Sequence, residues 1–371
     1  MVQPPGVSRR SVRLRFSIVI PAWNGEAFIS QALESVLGQT RPADELLVVD
    51  DASTDGTRSI AESSRWSGQV RYVRNDTSTG FADAWNRCAR LASGDFVVLL
   101  HQDDLLAPTY LWSIEKALER FPRARHVYTG CSYINADGLQ IGTTPTPHEA
   151  EPVLYPGREY ASRYIQGVEA NKHIHRCPGV ATARSLVIEE CPYRKEAGLI
   201  ADDDFFLRVG VFTDVVGISQ PLASYRIHPG SVVGRERSLP LRLAHDYVYQ
   251  VRWYSEYAGA LGPEDVLRIQ GLAVRFVNLL LFESIAKHQE DGVREAVALK
   301  QEMDSLHPGL FPRLAKPWGR LLWRVNGERP EASFVAFSLV KVLQIGIRSR
   351  DAVSGALEAS SGSLRMASRR P

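Results

Sequence analysis

Two pairs of adjacent acids could carry chemistry. Asp50-Asp51 and Asp103-Asp104 each follow a short apolar run, ELLVV and FVVLL, and lie about fifty positions apart. Carboxylates at neighbouring strand ends repel one another unless a cation or hydrogen-bond donors stand between them. A hard divalent cation completed by diphosphate oxygens is one solution, because Mg²⁺ keeps few protein ligands and takes the rest from phosphate and water. Capping of the following helix is the competing reading for any Asp after a strand. Capping is preferred for Asp55, whose STDGT setting reads as a turn, whereas Asp103 is read as functional. A third acidic group, ADDDFFLR at 201–208, reads as the amino end of an apolar helix, where carboxylates are favoured.

The elements that must position these acids follow from periodicity. Phe16–Ile20 is an apolar, β-branched run ending at Pro21, which reads as a buried parallel strand. Residues 26–38 carry apolar side chains near helical spacing, and 45–49 form a second buried strand. Thr54–Ser63 reads as a helix, Val70–Val73 as a third strand, Phe81–Ala92 as a helix and Phe96–Leu100 as a fourth strand. This alternation implies βαβ units and a mostly parallel sheet. Ligands of open α/β sheets bind outside the carboxyl ends of the strands, where these acids fall. The stretch 138–193 is weakly periodic and reads as loops with short elements, and the chain beyond Leu239 is helical in pattern, with Val266–Ile285 its strongest helix.

Composition excludes several classes. A net charge of +2 over 371 residues leaves no duplex-binding footprint, so no nucleic-acid partner is expected. Cys88, Cys131, Cys177 and Cys191 form no C-x-x-C pair and are read as reduced thiols. The basic amino terminus has no apolar region after it of signal-peptide length. No run of about 18 uncharged apolar residues occurs, so a membrane-spanning helix is not expected. PAWNGEAF after the first strand lacks the G-x-G-x-x-G of a dinucleotide-binding dehydrogenase.

The run SIVIPAWNGEAFISQALESVLGQT, then ELLVVDDASTDGT, then NDTSTGFADAWNRCARLASGDFVVLLHQDD resembles the family 2 glycosyltransferases of GT-A fold. Two later segments, ADDDFFLR and YRIHPGS, extend the match, which runs in order from about residue 16 to 230. The resemblance implies an α/β, Rossmann-like, mostly parallel sheet flanked by helices, with a helical carboxyl-terminal extension. It implies an inverting transfer of sugar from a nucleotide diphosphate, UDP or dTDP favoured, to an acceptor hydroxyl. Pro21, Ala22 and Glu26 match the loop lining the nucleotide pocket, Asp51 the carboxylate that binds the base, with Asp50 beside it, and Gly80 and Asn86 a segment near the nucleotide. Asp103 matches the metal-binding end of the D-x-D motif. Asp202 matches the catalytic base, with Asp203 as the alternative. Arg226 and His228 match an R-x-H segment whose His approaches metal and diphosphate.

The pattern departs in three places: His101 replaces the first acid of D-x-D, Trp85 stands where Arg is common, and Ala201 replaces an acid before Asp202. Imidazole suits Mn²⁺ better than Mg²⁺, so the resemblance leaves either as the divalent metal. His173 and His175 read as solvated loop residues, or as part of an acceptor pocket. Gln250–Trp253, similar to but one residue shorter than the Q-x-x-R-W of processive synthases, reads as helix packing. The expected organisation is a basic, disordered tail over 1–15, a catalytic domain binding nucleotide-sugar over 16–235, a helical region over 236–348 and a disordered tail over 349–371. Phe334–Ile347 and its neighbours read equally as a helical cap or as amphipathic helices touching a membrane. Expected partners are a nucleotide-diphosphate sugar and an acceptor glycan or glycolipid, in surface polysaccharide synthesis, cytoplasmic or peripheral to the inner face of the plasma membrane. A non-catalytic sugar-nucleotide-binding module and a nucleotidyltransferase are the rival functions.

Overall fold

A computed structural model of the chain describes residues 13–145, 151–231, 239–254, 257–287, 289–310 and 313. The amino-terminal part runs β1 (Phe16–Ala22), α1 (Ile29–Leu37), β2 (Glu45–Asp50), α2 (Thr57–Ala61), β3 (Arg71–Arg74), α3 (Phe81–Leu91) and β4 (Phe96–Leu99). These are the predicted βαβ units, and β3-β2-β1-β4 pair in parallel. β1 continues through Pro21, two residues past its predicted end. Pairing with β4 stops at Val19, so on that side no ladder partner calls for the amide Pro21 lacks.

The second half of the sheet mixes directions. β5 (Leu105–Leu106), α4 (Tyr110–Arg120), β6 (His126–Ile134), β7 (Gln140–Thr143) and β8 (Val153–Tyr155) precede α5 (Gly157–Glu169), β9 (Val180–Ala183), α6 (Ala201–Phe212) and β10 (Val215–Arg226). Strand β9 inserts antiparallel between β4 and β6, and β10 lies parallel to β6. The order β3-β2-β1-β4-β9-β6-β10-β5 brings the end of β10 back towards the end of β4. The stretch predicted as mostly loop therefore holds a 13-residue helix, α5, which packs on α6 and buries Tyr160, Tyr164 and Ile165. Its pattern is hard to read because tyrosines and glycines share its inner face with only a few aliphatic residues.

Among the described residues four helices follow: α7 (Leu239–Tyr254), α8 (Ala258–Leu261), α9 (Pro263–Ala286) and α10 (Glu290–Leu306). Gln250 and Val251 are buried in α7 and Arg252 pairs with Glu302, so this segment packs helices. Among the described residues one helix, α9, is long and apolar enough to cross a membrane by length and composition, which the sequence reading did not expect. Its apolar side is spent inside the fold: 61% of its most apolar window is buried, against α7, α10 and α5. Asp265, Gln270, Asn278 and Ser284 are buried along the same helix, as suits a core helix rather than a lipid-facing one. Phe334–Ile347 and both expected disordered tails, save Arg13 to Arg15, lie outside the described residues.

Candidate active site

The loops after β1 and β2 are laced together by side chains. Asn24 donates its backbone amide to Ser53 Oγ (2.9 Å) and accepts at Oδ1 from the Thr54 amide (2.8 Å). The Gly56 amide donates to Glu26 Oε2 (2.7 Å), and the Glu26 amide to Asp55 Oδ2 (3.1 Å). Asp55 also accepts from the Thr57 amide at 3.0 Å, the turn chemistry expected of it. Pro21 and Ala22 pair with Val49 and Asp50, at the strand tips where this lacing begins.

Asp50 and Asp51 point to different duties. The Asp50 carboxylate is fully buried and bonded to Tyr72 Oη, the Arg74 guanidinium and the Ser53 amide, which makes it a fastener of the β2–β3 edge. Asp51 faces the segment 75–80 instead. It accepts from Asn75 Nδ2 (2.6 Å), Ser78 Oγ (2.7 Å), the Thr79 amide (2.9 Å) and the Gly80 amide (3.3 Å). Burial would raise its pKa, but the bonds from Ser78, Asn75 and Thr79 hold it below the ordinary carboxylate value. Gly80 has φ of 80°, a conformation that favours glycine and lets α3 start immediately behind this loop. Asn86 is engaged elsewhere: its amide clamps the Tyr193 backbone through Nδ2 to O (2.7 Å) and N to Oδ1 (2.9 Å).

A second cluster forms where β4 and β10 end. His101, Asp103 and Asp104 bring one ligand atom each within 4.8 Å of one another. His228 Nε2 lies 3.0 Å from Asp103 Oδ2. The Arg226 amide donates to Asp104 Oδ1 (2.8 Å), and its buried guanidinium donates to the carbonyls of Asp103, Asn135 and Ala136 and to Gln31 Oε1. Arg226 thus ties the loop carrying Asp103 and Asp104 to the end of β10, the turn after β6 and α1.

Burial, then Asp103, pushes Asp104 well above the ordinary carboxylate value. For Asp103 burial acts upward too, but the bond from His228 and the nearby His101 bring it below the ordinary value. Burial lowers the pKa of His101 and keeps it neutral, as a metal ligand must be. Asp104 Oδ2 and His101 Nε2 are buried without a hydrogen-bond partner. Two acids, a neutral imidazole and orphaned ligand atoms are a donor set that fits a divalent cation.

Trp85 stacks on His101 with ring centres 5.4 Å apart and meets Tyr193 edge-on at 5.1 Å. Two of the departures from the family pattern are therefore in contact.

The third acidic group sits at the start of α6. Arg208 pairs with Asp204 at 2.8 Å, one turn on, with both side chains buried. This removes Asp204 from the chemistry and leaves Asp202 and Asp203. Asp203 accepts from Tyr164 Oη (2.6 Å) and faces His173 Nε2 (3.6 Å). Asp202 is pushed up to about 7, first by burial and then by Asp203, with Arg176 opposing. Tyr225 lies within electrostatic reach of Asp103, Asp104 and Asp202 alike, so the first turn of α6 and the His/Asp/Asp cluster share one neighbourhood.

The solvated-loop reading of His173 and His175 does not hold. Both are buried, and His175 Nε2 meets Tyr160 Oη at 2.8 Å, because α5 covers them. Arg176, Tyr164 and Tyr133 were missed altogether; no period or motif marks them, and only the packing of α5, β6 and β10 collects them. A cleft of about 1090 Å³ lies at the amino ends of the strands, lined by residues such as Arg13, Asp95 and Arg125, and contains none of the acids above.

Comparison with known proteins agrees with this architecture. The profile of glycosyl transferase family 2 matches residues 17–191. The chain is 40% identical over 90 residues, 24% of its length and 35% of the relative's, to the Escherichia coli UDP-Glc:alpha-D-GlcNAc-diphosphoundecaprenol beta-1,3-glucosyltransferase WfgD. It is 27% identical over 231 residues, 58% of its length and 70% of the relative's, to the amylovoran biosynthesis glycosyltransferase AmsB of Erwinia amylovora. For several curated relatives the match spans half of their length or less. The crystal structure of S. aureus TarS 1-349 in complex with UDP-GlcNAc superposes with a TM-score of 0.63 at 16% identity, covering 90% of this chain and 92% of that one. The fold is therefore of the GT-A kind, and residues 17–191 are similar to glycosyl transferase family 2.

Proposed function

We propose that this protein transfers a sugar from a nucleotide-diphosphate donor, UDP or dTDP favoured, to an acceptor hydroxyl, inverting the anomeric centre. One observation carries the reading: the His101/Asp103/Asp104 cluster follows β4 and Asp51 follows β2, on the same edge of the parallel β2-β1-β4 sheet, while Tyr225 neighbours both that cluster and Asp202. The names of the relatives, which include a UDP-glucose-dependent transferase and a polysaccharide biosynthesis enzyme, support it. A surface polysaccharide or glycolipid acceptor belongs to the same reading, as does a place in the cytoplasm or at the inner face of the plasma membrane.

On this reading Asp51 and the loop 75–80 face the base, with Pro21, Ala22 and Glu26 shaping that end of the pocket. Asp103, Asp104, His101 and His228 would hold a Mg²⁺ or Mn²⁺ ion, which when bound neutralises charge on the diphosphate. Asp202 accepts the proton of the attacking hydroxyl, for which a pKa near the working pH is suited. Arg226 and Asn86 hold neighbouring segments of the pocket in place through bonds to backbone carbonyls.

The test is a thermal-shift panel of UDP, dTDP and GDP with Mg²⁺ or Mn²⁺, followed by nucleotide release from matching sugar donors. A ligand at about 100 times its Kd adds about 2.7 kcal/mol. Metal-dependent stabilisation by one nucleotide with release from its sugar donor is the expected result. Binding without release from any donor would instead favour a non-catalytic module.

A further inference from the structure

Three successive backbone amides in the turn after β1 each donate to a side chain from another segment. The Trp23 amide donates to Gln102 Oε1 (2.8 Å), the Asn24 amide to Ser53 Oγ (2.9 Å) and the Gly25 amide to Thr57 Oγ1 (2.7 Å). Ser53 and Thr57 belong to the loop after β2 and the start of α2, whereas Gln102 comes from the loop after β4 that carries His101, Asp103 and Asp104. Gln102 also donates from Nε2 to the Trp23 carbonyl at 3.0 Å, so both ends of its side-chain amide grip one residue. The turn needs such support, because Asn24 sits at φ of 49°, in the left-handed region that costs a residue with a Cβ free energy.

The pair of bonds stands where the sheet no longer joins these segments. β1 and β4 pair as far as Val19 and Leu99, with a last bond from the Leu100 amide to the Val19 carbonyl (3.0 Å). Beyond that point the ladder stops, and Gln102 reaches across with a side chain that imitates a backbone partner. Gly25 leaves it room: a Cβ there would lie 2.2 Å from Gln102 Oε1 and 2.6 Å from its Cδ.

We propose that Gln102 is a positioning residue that fixes the loop Pro21 to Glu26 against the His101/Asp103/Asp104 cluster, so that a nucleoside diphosphate is held at its base end and its phosphate end at once. This rests on the donor-site reading above. Gln102 stands between His101 and Asp103 in the chain, and Trp23 between Ala22 and Glu26. A ligand that must reach both ends binds best when their separation is set beforehand, because ordering a loose loop on binding costs affinity. A cation bound by the cluster alone makes no such demand. The Gln102 amide therefore matters for a ligand spanning both ends and not for the cation by itself.

The test is calorimetric titration of the full chain with Mn²⁺ alone, and with UDP at saturating Mn²⁺. Gln102→Ala is expected to weaken UDP about tenfold, the scale of losing two neutral hydrogen bonds, and to leave the Kd for Mn²⁺ unchanged. Gly25→Ala should bring a similar loss of UDP affinity, since its methyl group displaces Gln102. In the Gln102→Ala background it should bring no further loss, because the clash is gone. UDP affinity unaltered in Gln102→Ala overturns the proposal, as do losses that add in the double variant. An equal loss of Mn²⁺ affinity also overturns it, since Gln102 would then be a general brace of the cation loop. A parent that binds no UDP with Mn²⁺ removes the donor-site reading and the proposal with it. A parent that binds UDP and releases it from a UDP-sugar, beside a Gln102→Ala protein of equal affinity, removes only the role of Gln102.

Discussion

The indole of Trp85 stacks on the imidazole of His101, ring centres 5.4 Å apart and planes 20° from parallel. In the family pattern that the sequence resembles, His101 stands where an acid is expected and Trp85 where an Arg is common. On the proposed reading their contact gives the exchange a joint explanation: a neutral aromatic ligand would be steadied by an aromatic wall, and burial keeps it unprotonated.

Trp85→Ala is therefore expected to weaken Mn²⁺ binding about 10–100-fold, the usual cost of losing a group that orients a ligand. Trp85→Phe should retain most of the affinity. Calorimetric titration of the nucleotide-free protein with Mn²⁺ reads both, and equal affinity in all three proteins would show that the stack does not orient His101.

Asp103→Asn should remove metal-dependent nucleotide release almost completely, because the carboxylate supplies charge as well as a ligand atom. His228→Ala should act more gently, raising the Mn²⁺ concentration for half-maximal release, since Asp103 loses the partner 3.0 Å away. A His228 variant as inactive as the Asp103 variant at saturating Mn²⁺ would show that His228 does more than hold Asp103.

Replacing Asp202 with Asn should lower kcat by about 10²–10⁴, the range for general-base help. Donor binding followed by fluorescence or thermal shift should change little, because the group waits on the acceptor side. An Asp202→Asn enzyme with near-parental kcat, beside an inactive Asp203→Asn enzyme, would transfer the role to Asp203.

The pH dependence follows from the same group. Asp202 is raised to about 7, by burial and then by Asp203, and acts as a base only when ionised. Turnover should fall as pH drops through about 7 and level off above it. The stability sign is opposite: a carboxyl whose folded pKa exceeds its unfolded value stabilises below the unfolded value and loses that contribution as pH rises through the folded one. Asp202→Asn should therefore be relatively more stable against the parent at about pH 8 than at about pH 4, as urea midpoints would reveal. Parallel stability profiles would contradict the raised value.

Arg208→Leu should destabilise the fold by about 3–5 kcal/mol, the cost of stranding one member of a buried ion pair. Asp204 would remain buried at the start of α6 with its partner gone. Urea denaturation measures the loss. Adding Asp204→Asn should recover part of it, whereas no recovery would point to lost packing of the arginine stem.

Local pattern made the first four strands and their helices readable. Short apolar runs bounded by polar or turn-forming residues mark β1, β2 and β4 as buried parallel strands, and parallel order puts their carboxyl ends on one edge. Asp51, Asp103 and Asp104 were legible as candidates for that reason. Asp202 and His228 were legible only through the order of family-like segments, since nothing local marks a base.

The rest was decided by chain reversal and burial. Strand β9 had to insert antiparallel, and β10 had to return beside β6, before His228 could meet Asp103, 125 residues away in sequence. Asp50, Asn86 and Arg226, matched in sequence to the nucleotide site, are each bonded to protein partners that only the fold supplies. Tyr164 and His173 reach Asp203 only because α5 packs on α6, an approach that no local pattern marks.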